Sequence, residues 1–319
     1  MSFLEILYLI IPAALYSAAP LVFTALGGVF SERSGVVNIA LEGLMLFGAF
    51  VGITTTLLLE GSMGSVAPWF ALVLAGIVCG IFALLHAFAS ITLKADQVVS
   101  GVAINFLAAG LSLFLTKKIF DKGQTDFIDF RIDKINVPLL SDIPVIGDMF
   151  FSRIPVTSYI ALFLAFVVWF VIFKTPFGLR LRAVGEHPMA ADTMGIKVLR
   201  MRYIGVMLSG VFAGIGGAVY AISISGNFAP GTISGQGFLA LAAMIFGKWH
   251  PIGAMGAALF FGLAQSLSIT GSQIPFLQDI PTVYLYIAPY VLTILALTGF
   301  VGRAEAPKAL GTPYEKGKR

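Results

Sequence analysis

Apolar residues run through this chain in nine stretches separated by short polar connections. A helix crossing the ~30 Å hydrocarbon layer needs about 20 apolar residues. The stretches at 5–29, 36–59, 67–93, 97–116, 156–173, 201–223, 251–270 and 282–300 are of about that length. Residues 236–248 are shorter and abut the next stretch at Gly247-Lys-Trp-His-Pro251, which predicts a half-span or a re-entrant hairpin. The pattern predicts an all-α, polytopic membrane protein with about nine transmembrane segments, the count open from eight to ten.

Composition agrees with that pattern. Of 319 residues, 58% are hydrophobic and 11% charged, and the mean hydropathy is +0.95. Soluble domains carry about 25% charged residues, so most of this chain belongs in lipid. The net charge of +4 is modest and does not point to nucleic acid. Cys79 is the only cysteine, which excludes an internal disulfide and a cysteine metal site. Met1-Ser-Phe-Leu-Glu5 lacks the basic region and cleavage site of a signal peptide, so the first apolar run is expected to be retained.

Basic residues mark the cytoplasmic side of membrane proteins. With the N-terminus outside and the C-terminus inside, 14 of the 20 Lys and Arg fall on inner segments. The other six lie in one loop, 117–155, together with six Asp, and that loop is expected to be extracellular. The chain then divides into one transmembrane domain, 1–303, with a cytoplasmic loop at 174–200, and a basic cytoplasmic tail, 304–319. A faint internal echo accompanies this layout. Ser34-Gly35 followed by Ala40-Leu41 and Met45-Leu-Phe47-Gly48 is similar to Ser234-Gly235 followed by Ala240-Leu241 and Met244-Ile-Phe246-Gly247. If spans one to four repeat as six to nine, the odd fifth span turns the two halves in opposite directions, as in many transporters.

Two spans carry strongly polar side chains. Gly35, Asn38, Glu42, Met45 and Ala49 share one face of the second, and Gly101, Asn105, Ala108 and Ser112 share one face of the fourth. A carboxylate at the bilayer centre costs at least ~2.5 kcal/mol on insertion scales, so it should face protein or water. Asn38, Glu42 and Asn105 are the candidates for lining a solute path, with helix packing as the competing role. Gly210, Ala213, Gly214 and Gly217 read as a packing seam. Tyr286, Tyr290 and Thr293 share a face of the last span, as interfacial anchors or a stacking surface. Chemistry is sparse. His86, His187 and His250 show no metal-ligand spacing, and there is no phosphate-binding loop, nucleophile elbow or zinc-protease motif.

The segment Phe30-Ser-Glu-Arg-Ser-Gly-Val-Val-Asn-Ile-Ala-Leu-Glu-Gly-Leu-Met-Leu-Phe-Gly-Ala49 resembles the signature of inner-membrane permeases of ABC importers for nucleosides and simple sugars, relatives of the branched-chain amino acid permeases. Lys94-Ala-Asp-Gln-Val-Val-Ser-Gly-Val-Ala-Ile-Asn105 resembles the next shared block, and Arg182-Ala-Val-Gly-Glu-His-Pro-Met-Ala-Ala-Asp-Thr-Met-Gly-Ile196 the family's cytoplasmic loop. The likeness is greatest to the shorter of two paired permeases in bacterial nucleoside (guanosine-type) uptake systems. It implies an inverted-repeat importer permease fold with broken helices in the bacterial inner (plasma) membrane. It also implies a second homologous permease, a double-cassette ATP-binding subunit and an extracellular substrate-binding lipoprotein. The chain itself is then a transport subunit and not an enzyme. It needs no cofactor, since ATP binds the partner.

Carried onto this sequence, the ATPase-coupling element is the stretch from Arg180 to Gly195. Pro188 suits the first turn of a short helix, Met189-Ala-Ala191 its body and Gly195 its end. Arg180, Arg182, Glu186 and His187 offer polar contacts around it, with Ala190 and Ala191 in the seat. The expected function is nucleoside import driven by a separate ATPase. The alternatives are a simple-sugar importer of the same family, an ion-coupled secondary transporter with Glu42 as proton site, and a membrane scaffold.

Overall fold

The computed structural model describes residues 3–274, 284, 287, 291 and 305–317. Of the described residues, 74% are helical and 1% strand. In chain order the elements begin with α1 (Phe3–Arg33), α2 (Leu41–Met63), α3 (Ala67–Ala87) and α4 (Gln97–Phe120). The loop that follows holds a two-residue ribbon, β1 (Lys134–Ile135) antiparallel to β2 (Ile154–Pro155), and α5 (Ile146–Phe150). Next come α6 (Val156–Lys174), α7 (Pro176–Glu186), α8 (Pro188–Thr193), α9 (Val198–Val219), α10 (Gln236–Phe246) and α11 (Pro251–Thr270).

The helix ends follow local chemistry. Asp96 caps α4, its carboxylate accepting from Val98 N and Val99 N at 2.9 Å each. Thr175 caps α7 through Gly178 N, and Pro176, Pro188 and Pro251 open α7, α8 and α11, where a missing N–H costs nothing. The expected short helix between Pro188 and Gly195 is therefore present, ending at Thr193, with Gly195 just beyond it at φ +77°.

Six helical runs among the described residues are long and apolar enough to cross a membrane, so the expected count of about nine is not confirmed. Three physical facts account for the difference. The run Leu41–Thr92 is counted once, yet it holds α2 and α3, which turn at Gly64–Val66 and pack against each other. At 11 residues, α10 spans only ~16 Å, which agrees with the expected half-span. Apart from residues 284, 287 and 291, the stretch 282–300 lies outside the described residues, and with it Tyr286, Tyr290 and Thr293.

Loops gather at two ends. At one end Thr125 N donates to Phe228 O at 2.9 Å, Ile128 N to Gly226 O at 2.9 Å and Asp129 N to a Glu60 carboxylate oxygen at 3.1 Å. At the other, Arg33 Nε donates to Trp249 O at 2.9 Å, Ala309 N donates to Gly185 O at 2.9 Å, and Lys94 pairs with Glu315 at 3.1 Å. Loops grouped by charge in the sequence thus share an end in space.

Helix packing pairs up in a regular way. α1 lies along α11 as α9 lies along α3, α2 packs on α9 as α10 packs on α1, and α2 meets α3 as α10 meets α11. At the centre, α1, α2 and α9 touch backbone to backbone. A Cβ on Gly217 would fall inside the Met45 carbonyl, and one on Gly48 would overlap Gly214. The predicted seam of small residues is a packing seam.

Candidate functional site

Between α1 and α2 the chain leaves the helix for residues 34–40 and passes through the protein as irregular backbone. Ser209 of α9 lies beside it, near the middle of that helix, so the break sits well inside the bundle. Lipid offers no hydrogen bonds, so irregular backbone at this depth is tolerated only where protein or water satisfies it. Side chains from neighbouring helices do so here, residue by residue. Ser31 Oγ donates to Val36 O at 2.8 Å. Val37 N donates to Gln97 Oε1 at 2.7 Å, and Val37 O lies 3.0 Å from His86 Nε2. Asn38 Nδ2 donates to Ser209 Oγ at 2.6 Å. Asn105 Nδ2 donates to Ile39 O at 3.0 Å, and Asn105 Oδ1 accepts from Gly43 N at 2.7 Å.

Glu42 occupies the first turn of α2 and reaches the N-terminus of α10. Oε1 accepts from Gly235 N and Oε2 from Gly237 N, both at 2.7 Å. The carboxylate thus meets the positive ends of two helix dipoles and satisfies two of the four N–H groups that α10 cannot pair internally. Gly235 takes φ +92° to aim its N–H there, and Gly237 lets the α10 backbone come against Glu42, where any Cβ would collide with the Glu42 backbone.

The three predicted path residues thus all act on the stretch 38–43 but reach different neighbours: Asn38 bonds α9, Glu42 bonds the start of α10, and Asn105 reaches in from α4. Asn38 is fully buried, and its Oδ1 has no partner among the described residues. Glu42 and Asn105 are half-buried.

The sequence reading missed Glu32, Gln97, His86 and Ser209. Glu32 is 3% exposed and accepts from Trp249 Nε1 at 2.5 Å and from the Asn38 backbone. A carboxylate two residues before Ser34-Gly35, and an indole in Lys-Trp-His-Pro, were the available signals. His86 and Gln97 gave none, because what they serve is a backbone carbonyl and amide far away in sequence.

At the loop-rich end near Arg33, the candidate coupling residues divide. Arg180, His187, Ala190 and Gly195 are exposed, and Glu186 and Pro188 partly so. Ala191 is 4% exposed and faces inward. Arg182 also serves the fold: Nε donates to Ile172 O at 3.1 Å, and the guanidinium lies over the Phe173 ring at 4.7 Å. His250 sits at the same end, its ring 4.8 Å from Phe173. Burial, with the Arg33 charge as the smaller cause, lowers its pKa from the ordinary value. Among the described residues no group of three metal-ligating side chains exists.

Comparison with known proteins adds a consistent picture. Residues 10–297 match the family described as branched-chain amino acid transport system / permease component. The chain is 62% identical over 319 residues, all of both chains, to the guanosine ABC transporter permease protein NupQ of Bacillus subtilis (strain 168). It is 49% identical over 318 residues, again full length in both, to the nucleoside ABC transporter permease protein NupC of Lactococcus lactis. A weaker likeness, 25% over 286 residues (89% of this chain and 80% of the relative), relates it to the guanosine ABC transporter permease protein NupP of the same Bacillus subtilis.

Proposed function

We propose that this chain, which belongs to the branched-chain amino acid transport system permease component family, imports nucleosides as the membrane-crossing subunit of an ABC importer. The observation that carries the substrate class is full-length identity of 62% and 49% with a guanosine and a nucleoside permease. A permease of this kind is a transport component and not an enzyme, and it works with ABC partners. ATP is held by the partner, and this chain needs no cofactor of its own.

The path follows the broken backbone. Residues 34–40 lead into the helix that carries Glu42, and residues 226–235 end at Gly235, whose N–H bonds it, which suits the midplane sites of transporters built from two opposed halves. The reciprocal packing of α1 to α3 with α9 to α11 supports an inverted repeat, with α6 as the odd span. Asn105 and Glu42 frame the passage, and Asn38, fully buried in this state, joins it only where a change of conformation uncovers its Oδ1. Weak, transient contacts suit a path, because tight ones slow release.

The loop 174–200 faces the cytoplasm, on the side where 14 of the 20 basic residues gather, and the loop 117–155 faces outward. The N-terminus is then outside and the C-terminus inside, in the bacterial plasma membrane. The exposed face of α8, around His187, Pro188 and Ala190, seats the double-cassette ATPase, with Arg180 and Glu186 at its rim. Arg182 and Ala191 shape this seat from behind, and the exposed Gly195 closes its far end. A second permease completes the passage, and an external binding lipoprotein delivers solute.

Uptake of labelled guanosine, uridine and ribose by cells with and without the assembled importer tests the substrate class. Loss of guanosine and uridine uptake on removing this chain is the expected result. Ribose entry without nucleoside entry would replace the reading with a sugar importer. Uptake that survives ATP depletion but collapses with the proton gradient would point to a secondary transporter.

A further inference from the structure

The chain's last described segment, 305–317, lies across the loop-rich end as a strap. Its backbone bonds to two places at once. Ala309 N donates to Gly185 O at 2.9 Å, at the end of α7, and Gly311 N donates to Gly35 O at 3.3 Å, at the mouth of the break. Lys308 N lies 3.4 Å from a Glu186 carboxylate oxygen. Further on, Thr312 O accepts from Arg202 Nη1 at 2.9 Å, Tyr314 is buried to 7% exposure beside Asp192 of α8, and Glu315 pairs with Lys94 at 3.1 Å. A sequence reading makes this segment a basic tail; in the folded chain it is sewn to α7, α8, α9 and the break.

Arg202 is the unusual member. It is 1% exposed, yet Nε and Nη2 have no partner among the described residues, and Nη2 lies 3.0 Å from where a Gly35 Cβ would stand. Burying a guanidinium with one hydrogen bond is costly, and a well-packed apolar side chain of similar volume would do at least as well for stability. Its position explains it better than its energy. It lies against Gly35, on the residue-198 end of α9, and holds the strap by a carbonyl.

We propose that the strap, positioned by Arg202, ties the α7–α8 loop to the break so that the two move as one body. The inference rests on the reading of α8 as the ATPase seat. Displacement of α8 by the ATPase then reaches residues 35–38 through backbone hydrogen bonds rather than through flexible side chains. Arg202 is a positioning residue: it touches the strap and not the solute.

The test uses the full importer, with its ATPase and binding protein, in membranes. Three variants address the strap: Gly311→Pro, which removes the N–H bonded to Gly35 O and cannot hold the present φ of +76°; Arg202→Lys, which keeps charge but loses the planar fork; and deletion of residues 305–319. The readouts are guanosine taken up per ATP hydrolysed and the yield of assembled complex. The expected result is a ratio lowered by roughly fivefold or more, the lower end of typical coupling between sites, with assembly retained in Gly311→Pro and Arg202→Lys. An unchanged ratio in those two variants overturns the inference, as does a fall of uptake, hydrolysis and yield in equal proportion. Ala190→Trp, on the exposed face of α8, separates the two levels. If it uncouples while the strap variants do not, only the strap inference fails. If it too is silent, the ATPase seat is misplaced.

Discussion

Replacing Glu42 probes the site most directly, because two backbone bonds depend on one side chain. Both carboxylate oxygens accept at 2.7 Å from N–H groups at the start of α10. Hydrogen bonds to charged groups contribute about 1.5–3 kcal/mol each, and a carboxylate at a helix N-terminus adds about 0.3–1 kcal/mol. Against this stands the cost of holding a charge at this depth, at least ~2.5 kcal/mol on insertion scales. The net worth of the folded carboxylate is therefore small, about 1–4 kcal/mol. Removal is another matter. Glu42→Leu leaves two N–H groups unpaired in a half-buried place, at about 1–3 kcal/mol each. Glu42→Gln keeps one acceptor but turns an NH₂ toward a backbone N–H, so about half that loss is expected. Thermal unfolding of the purified complex in detergent, followed together with uptake, should rank wild type above Gln and Gln above Leu. Uptake lost well before stability would favour direct solute contact. A Leu variant as stable as wild type would refute the clamp altogether.

Asn105→Ala removes the bonds to Ile39 O and Gly43 N and should destabilise the complex by about 2–3 kcal/mol, read as a lower unfolding midpoint; an unchanged midpoint would mean that the start of α2 holds itself. For topology, Cys79 is fully buried, so the native chain should resist an impermeant thiol reagent. Gly123→Cys and Lys316→Cys, both exposed, should then label from opposite sides of the membrane, and labelling of both from outside would break the orientation. His250 has a lowered pKa in the fold, so the unfolded chain takes up its proton first. Its contribution is present above the ordinary value of 6.5 and lost as pH falls below it. A His250→Asn variant should lose less stability than wild type between pH 7 and 5.5 in a thermal scan, and equal losses would assign the acid sensitivity elsewhere.

Much of this architecture was readable before any coordinates. The apolar stretches located the six long runs found among the described residues, though not the full count of about nine, and the charges sorted the loops into the groups now found at two ends. The short stretch 236–248 gave itself away by length. Asn38, Glu42 and Asn105 stood out because polar side chains are conspicuous among apolar ones. Their roles did not stand out, because each serves a backbone group displaced in sequence: Asn105 serves Ile39 and Gly43, and Glu42 serves Gly235 and Gly237. Sequence patterns report which face of a helix is polar, not which broken strand of backbone it must satisfy. The same gap hid the strap. Ala309 and Gly311 act through main-chain N–H groups that every residue but proline possesses, so no side-chain signature marks them.

The seam between α2 and α9 limits what kind of motion this protein can use. Gly217 fits under the Met45 carbonyl only because it has no side chain. Sliding α9 by one helical turn, ~5.4 Å, would bring Ala221 from one side, or Ala213 and Gly214 from the other, toward that carbonyl, and would pull Gly214 away from Gly48. The pair can hinge, whereas a slide along the seam would unseat the Gly217–Met45 and Gly48–Gly214 contacts together. Alternation of access then falls more easily to pieces hung on this spine, and the 11-residue α10, tethered at its head by one carboxylate, is a short one.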